Sequence, residues 1–149
     1  MAAVRTATVT WKGDLTSGEG VVSAGSSQLF TDLPVSWASR TEQPDGRTSP
    51  EELLAAAHAS CFAMAFSNGL AKAGTPAEHI HVEAEVTFDK LEAGWTVVSS
   101  ALTVIGHAPG CNQAAFAAAA NEAKDGCPIS RALKGNVAIS VDATLETDA

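Results

Sequence analysis

Apolar residues lie on nearly every side of one long predicted helix, which runs from residue 50 to about residue 72 or 73, and the rest of the pattern is arranged around it. The helix has a clear start. Ser49 can cap it, Pro50 suits its first position, and Glu52 stands three residues after the cap, which is the spacing of a capping box. Gly74 is the expected left-handed stop. These signals predict an uninterrupted helix of more than six turns.

Because this helix is apolar nearly all round, with alanines between its larger residues, we expect it to be buried on nearly all sides. At about 1.5 Å per residue it would be roughly 36 Å long, which is more than one small domain can cover. The pattern therefore predicts that a second subunit helps to bury the helix, as in an intertwined homodimer.

The other segments alternate between strand and helix patterns. Three strands come first, then the long helix, two strands, two helices and a last strand. This order predicts an α+β fold, with helices packed on antiparallel sheet, in one domain that spans residues 1–149. The predicted strands are residues 4–11, 21–24, 33–37, 80–88, 95–105 and 137–145; the additional helices are residues 112–124 and the stretch from Cys127 to near Gly135. Residues 39–48 are predicted to form a polar loop.

The charge balance narrows the range of partners. The chain has 17 acidic and 9 basic residues, a net charge of −8, and its Lys and Arg residues do not cluster. Neither nucleic acid nor an anionic membrane is therefore an expected partner. The N-terminal residues lack the pattern of a signal peptide, and we expect no membrane span. Three cysteines in this context predict a reducing cytoplasm, where a disulfide is transient rather than structural.

Two cysteines stand in contexts that suggest chemistry. Cys61 lies in the long apolar helix, where a thiol is usually an inert core residue. Cys127 lies between Gly126, which ends one helix, and Pro128, which starts the next. A thiolate at such a helix start faces free backbone N–H groups, which lower its pKa.

Three motifs around these cysteines resemble the OsmC/Ohr family of thiol peroxidases. They are residues 50–53 (PEEL), 56–62 (AAHASCF) and 123–130 (AKDGCPIS), and the flanking strands also fall where that fold has them. The resemblance covers almost the whole chain and is closest to the OsmC branch. It implies an OsmC-like fold and a peroxidase that reduces organic hydroperoxides, with hydrogen peroxide as an open second substrate.

The resemblance also implies how the thiols act. Cys61 would be the peroxidatic nucleophile, which attacks the peroxide as a thiolate and becomes a sulfenic acid. Cys127 would resolve the sulfenic acid as a disulfide, and a lipoyl-type or other dithiol would reduce the pair. The family needs neither a metal nor an organic cofactor.

In this family an arginine held by a glutamate offsets the desolvation of the thiolate. Glu51 matches the glutamate, although it could simply complement the helix dipole. Arg40 best matches the arginine of the OsmC branch; Arg47 is the competitor, and the region used by the Ohr branch offers only Lys12. Since ten residues of helix between Glu51 and Cys61 span about 15 Å, we expect the site to be shared between two chains.

Other residues leave alternatives open. His58 shares a helix face with Cys61, so it could support the thiolate or join a metal site with Cys61 and Cys127. Cys111 has no counterpart in the family pattern, and its expected role is to cap a helix or to pack. Two further functions remain as rivals: a redox-sensing binding protein that uses the same disulfide with little turnover, and a metal-binding module built on the His and Cys residues.

Overall fold

The computed structural model describes residues 1–147, which form two compact units. The first unit is Met1–Leu53, and the second begins at Leu54. Each has its own three-stranded sheet.

The first unit is an antiparallel sheet followed by a short helix. Its strands β1 (Ala7–Lys12), β2 (Glu19–Ala24) and β3 (Leu33–Val35) pair in chain order. Helix α1 (Trp37–Thr41) follows after Ser36. It starts within the predicted strand 33–37 and covers the start of the predicted loop, so these predictions are wrong for Trp37 and for residues 39–41.

Two serine side chains, at the N-cap and in the first turn, cap the N-terminus of α1. The hydroxyl of Ser36 accepts from the N–H of Ser39, and the hydroxyl of Ser39 accepts from the N–H of Ser36, each at 3.1 Å. This reciprocal pair is a capping box in which serine replaces the usual Glu or Gln. The helix places Arg40 in a fixed position on its last turn.

Helix α2 (Pro50–Lys72) has the predicted bounds and continues from the first unit into the second. The hydroxyl of Ser49 accepts from the N–H of Glu52 at 3.1 Å, which confirms the predicted cap. The carboxylate of Glu52 instead accepts from the Thr48 hydroxyl at 2.7 Å. Gly74 ends the segment with a φ of 88°, as expected of a left-handed stop.

Only one face of α2 is buried within a single chain. His58, Phe62, Phe66 and Leu70 recur every four residues and are fully or almost fully covered. Met64, on the opposite side, is 72% exposed. The sequence predicted that α2 is buried on nearly all sides, and one chain alone does not bury it to that extent. By length and composition α2 is also apolar enough to cross a membrane, a test that the core helix of a soluble protein passes equally.

The second unit packs helices on a mixed sheet. In the sheet, the strands lie in the order β4 (His79–Leu91), β5 (Gly94–His107) and β6 (Ala138–Leu145). Along the chain, the helices α3 (Gln113–Gly126) and α4 (Pro128–Leu133) connect β5 to β6. The β4–β5 pair is an antiparallel hairpin, but β6 runs parallel to β5. The prediction of purely antiparallel sheets is therefore wrong at this pair, because α3 and α4 carry the chain back to the opposite end of the sheet.

The core of the second unit holds α2 against α3 and β5. The Phe66 ring lies 5.6 Å from Phe62 and 4.8 Å from Phe116, and Leu102 and Val104 of β5 belong to the same buried cluster. Cys127 is part of this cluster, and Cys61 packs against it. The packing thus fixes the backbone on both sides of the cysteine pair.

Candidate active site

The fold brings Cys61 and Cys127 into direct contact although they are 66 residues apart in the chain. Their sulfur atoms are 3.0 Å apart, within hydrogen-bonding distance, and both are free thiols. Cys61 comes from α2, and Cys127 from the single residue between α3 and α4. Loss of a proton from either sulfur leaves the other as a donor to the resulting thiolate, so the two thiols titrate as a pair.

The two sulfurs differ in their access to solvent. Cys61 is partly exposed, whereas Cys127 is completely buried, at 0%. A small molecule from solution therefore meets Cys61 first. Cys127 can meet an oxidised Cys61 without large movement of the backbone, because the sulfurs already touch.

The start of α4 stabilises negative charge on Cys127. Burial alone would raise the pKa of this thiol, but hydrogen bonds from Cys61, from the N–H and hydroxyl of Ser130 and from the N–H of Ile129 hold it below its usual value. The predicted location of Cys127 at a helix N-terminus is confirmed, since it is the residue that caps α4 with Pro128 next.

The pKa of the Cys61 thiol shifts in the opposite direction. Burial and the contact with Cys127 raise the pKa of the Cys61 thiol, and the N–H of Ile129 lowers it only in part. None of these influences is a positive charge. Within the described residues of one chain, the first proton to leave the pair therefore comes from Cys127, although Cys61 is the thiol that a solute can reach.

His58 is fully buried and bonds to two serines rather than to a cysteine. Its Nδ1 lies 2.6 Å from the hydroxyl of Ser100 on β5, and its Nε2 lies 2.7 Å from the hydroxyl of Ser130 on α4. Burial lowers the pKa of the ring, so His58 is neutral at neutral pH. Sequence reasoning placed His58 beside Cys61, but its hydrogen bonds go to Ser100 and to Ser130, which stands three residues after Cys127.

Sequence reasoning missed both serines. Ser100 is a polar residue in a predicted strand, but Ser99 beside it is polar as well, so the sequence alone does not single out Ser100. Ser130 lies in the first turn of α4, where a hydroxyl often serves the backbone, and nothing local links it to a histidine 72 residues away.

Arg40 and Glu51 form an ion pair in the first unit. The Arg40 Nη2 donates to Glu51 Oε1 at 2.6 Å, and the Glu51 side chain is 9% exposed. The guanidinium also lies over the Trp37 ring, 5.6 Å from its centre. Arg47, the competing arginine, lies 4.0 Å from the exposed carboxylate of Asp45 instead. The structure thus brings together Arg40 with Glu51, and Cys61 with Cys127.

An apolar groove of about 400 Å³ opens beside Arg40 in the first unit. Arg40 is its charged lining residue, and the apolar walls include Val9, Trp11, Leu15, Val35, Trp37 and Leu53. In the second unit, Trp95 stacks on Phe88 with ring centres 5.0 Å apart.

The remaining candidates do not form a metal site. Among residues 1–147, no three His, Cys, Asp or Glu side chains are grouped so that they could hold a metal ion. Both nitrogens of His58 are already in hydrogen bonds. Cys111 is partly exposed, and its thiol donates to the carbonyl of Asn112 at 3.4 Å, which agrees with a packing role.

Two contacting thiols, one accessible and one at a helix start, form the candidate site on an α+β scaffold. Sequence comparison gives the family. Residues 43–142 match the family of OsmC-like proteins, and the chain belongs to that family. It is 39% identical over 129 residues to peroxiredoxin OsmC of Escherichia coli (strain K12), which covers 87% of this chain and 89% of the relative. Peroxiredoxin OsmC of Shigella flexneri matches to the same extent.

Solved structures share the fold. An organic hydroperoxide resistance protein OsmC from Legionella pneumophila is 25% identical, with a TM-score of 0.68 over 96% of this chain and 99% of that one. OhrB of Bacillus subtilis, at 23% identity, has a TM-score of 0.70 over 93% of this chain and 98% of its own. The OsmC/Ohr-like fold that the sequence predicted is thereby confirmed.

Proposed function

We propose that this protein reduces organic hydroperoxides through Cys61 and Cys127. As a member of the OsmC-like family that is 39% identical to a peroxiredoxin over most of its length, it is a thiol-dependent peroxidase. The observation that carries the finer assignment is the 3.0 Å contact between an accessible Cys61 and a buried Cys127. In this arrangement the accessible thiol can react with the peroxide, and the buried thiol is in place to resolve it.

The reaction has two steps on the protein. The Cys61 thiolate attacks one peroxide oxygen, so that an S–O bond forms, the O–O bond breaks and the alkoxide takes up a proton to leave as an alcohol. The Cys127 thiolate then attacks the Cys61 sulfenic acid, so that the disulfide forms and hydroxide leaves as water once protonated. A dithiol reductant returns two electrons by exchange.

The first step needs a positive charge beside Cys61. Without one, burial and Cys127 raise the pKa of Cys61, which leaves the accessible thiol protonated. The Arg40–Glu51 pair is the candidate for this charge, because it is a bidentate, partly buried ion pair. A guanidinium near Cys61 would lower the pKa of that thiol and would stabilise charge that develops on the peroxide.

We propose that the partner chain of a homodimer supplies this pair. Helix α2 is continuous, so Glu51 and Cys61 are separated by ten residues of uninterrupted helix, which at about 1.5 Å per residue is about 15 Å along the axis. A glutamate side chain does not span that gap. The α2 face that includes the exposed Met64 would pack against the second chain, and a two-fold axis would then complete both sites at once.

The apolar groove supports organic hydroperoxides as substrates. Its walls are aliphatic and aromatic, and Arg40 lies on its lining. An alkyl or aryl group would be desolvated against these walls while the peroxide group stays near the guanidinium, whereas hydrogen peroxide has no such group to bury. A cytoplasmic location fits this chemistry, because reducing compartments supply the dithiol.

The test is turnover of cumene hydroperoxide with a dithiol reductant. The purified protein should consume many equivalents of peroxide, and the Cys111→Ser variant should do the same, since that thiol lies outside the proposed reaction. Oxidation that stops after one equivalent despite excess dithiol would contradict catalytic turnover and favour the redox-sensing function.

A further inference from the structure

His58 is a buried titratable group that the proposed reaction does not yet use. It is 0% exposed, and each ring nitrogen lies within 2.7 Å of a serine hydroxyl, Nδ1 at Ser100 and Nε2 at Ser130. A neutral imidazole has one N–H donor and one acceptor nitrogen. The two serine hydroxyls must therefore adopt complementary roles, one as donor and one as acceptor.

The ring nitrogen that carries the proton therefore determines the direction in which the Ser130 hydroxyl points. If Nε2 carries the proton, it donates to the Ser130 oxygen, and the Ser130 hydroxyl proton is left to point at Cys127. The Ser100 hydroxyl then donates to Nδ1. In the other tautomer the Ser130 hydroxyl donates to Nε2, so only a lone pair remains for Cys127. The first arrangement suits a Cys127 thiolate, and the second suits a thiol.

We propose that His58 is a positioning residue for Cys127: with its proton on Nε2, it turns the Ser130 hydroxyl to donate to the Cys127 sulfur whenever that sulfur is negatively charged. The hydrogen-bond chain runs from Ser100 on β5 through His58 on α2 to Ser130 on α4. Cys127 directly precedes the first turn of α4, and the Ser130 hydroxyl is one of the groups that lower the pKa of its thiol. Its consequence for turnover rests on the proposed peroxidase function, but the chain itself does not.

Negative charge arises on Cys127 in two steps of the proposed cycle. It is present when Cys127 attacks the Cys61 sulfenic acid. It returns when a reductant thiolate attacks the disulfide at the accessible sulfur of Cys61: a new S–S bond to the reductant forms, the old S–S bond breaks, and Cys127 leaves as a thiolate. A leaving thiol with a lower pKa leaves faster, so the hydroxyl of Ser130 should assist this second step.

Other titratable and charged groups lie near this chain. Cys61 on α2 contacts Cys127 directly. Lys124 and Asp125, at the end of α3, lie 3.8 Å from one another and line a cavity together with Ser130, Arg131 and Lys134. The test therefore keeps these residues unchanged, except that Cys61 and Cys111 become serine so that Cys127 is the only thiol.

In that Cys61→Ser, Cys111→Ser protein, the ultraviolet absorbance of the thiolate reports the titration of Cys127. His58→Gln places an amide near the former Nε2, where it can donate to Ser130. His58→Asn places its amide near the former Nδ1, on the side of Ser100. We expect His58→Gln to keep the titration midpoint and His58→Asn to raise it by about one pH unit, a tenfold change in the ionisation constant. Equal shifts, or no shift, in the two variants would overturn the proposal.

Two further measurements keep the proposal testable if a histidine variant does not fold. Ser130→Ala removes one hydroxyl and should raise the midpoint as His58→Asn does; an unchanged midpoint would overturn the proposal. Nitrogen NMR of His58 should show the proton on Nε2 when Cys127 is ionised, and a proton on Nδ1 in that state would overturn it as well. None of these readouts needs peroxide, so a lack of turnover would contradict the proposed function without affecting them.

Discussion

Arg40 donates hydrogen bonds to Glu51 from two guanidinium nitrogens, with Nη2 2.6 Å from Oε1 and Nε 3.2 Å from each carboxylate oxygen. The glutamate is buried and the arginine is partly exposed. A carboxylate that binds a guanidinium from one side fixes the direction in which the guanidinium points. This is the geometry of a positioned cation rather than of an ordinary surface ion pair.

Replacement of Arg40 by methionine should slow the reaction of Cys61 with cumene hydroperoxide by about tenfold to a hundredfold, because the charge that offsets the buried thiolate is lost. Stopped-flow measurement of the first oxidation gives the rate. Arg47→Met is the matched control, since Arg47 lies in an exposed turn near Asp45, and it should react like the unmodified protein. If Arg47→Met is the slow variant, the assignment of the arginine is wrong.

The cysteine variants should separate the two chemical steps. Cys61→Ser should abolish peroxidase activity. Cys127→Ser should allow one oxidation and then accumulate sulfenic or over-oxidised Cys61, because no thiol lies at 3.0 Å to resolve it. Mass spectrometry after one equivalent of peroxide locates the oxygen. First oxidation at Cys127 would reverse the assignment, in line with the lower pKa of that thiol within one chain.

The sequence predicted the long helix well because its signals are local. A cap at Ser49 and a glycine stop at Gly74 act within a few residues of the helix ends. Helix α1 was missed because its capping box uses Ser39 where the usual signal is Glu or Gln. The parallel pairing of β6 was missed because alternation shows which face of a strand is buried and not the direction in which it runs.

The site was harder to predict than the fold. Only the tertiary structure joins Cys61 to Cys127, and without the family resemblance the sequence left Cys61 as a core residue. The role of His58 depended on partners 42 and 72 residues away, which no periodicity reveals. The pattern did indicate correctly that Cys127 lies at a helix start, because glycine and proline mark that position locally.

Stability should fall in mild acid because of His58. Burial lowers the pKa of this ring below the unfolded value of 6.5, so the unfolded chain binds more protons. The contribution is complete above pH 6.5 and is lost as the pH falls towards the folded pKa, with a slope of at most about 1.4 kcal/mol per pH unit. Urea unfolding at several pH values measures it. In His58→Gln this part of the pH dependence should be missing, and an identical curve for both proteins would contradict the neutral, buried ring.

The last prediction concerns which chain supplies which part of the site. If Arg40 and Glu51 of one chain serve Cys61 and Cys127 of the other, two different inactive chains can restore activity together. Co-expression of equal amounts of Cys61→Ser chains and Glu51→Ala chains should give about half mixed dimers by random pairing. Each mixed dimer then has one intact site and one with both lesions, so about a quarter of all sites should work.

The control is a mixture of Cys61→Ser chains with Cys127→Ser chains. These two thiols come from the same chain, so each site of a mixed dimer still carries one lesion, and no turnover should return. If the mixture of Cys61→Ser with Glu51→Ala also stays at the level of the separate variants, each site is built from a single chain. In that case α2 would have to bend between Glu51 and Cys61, although it is continuous from Pro50 to Lys72. The mixed-dimer assay thus decides whether Arg40 and Glu51 serve the cysteines of the partner chain or those of their own chain.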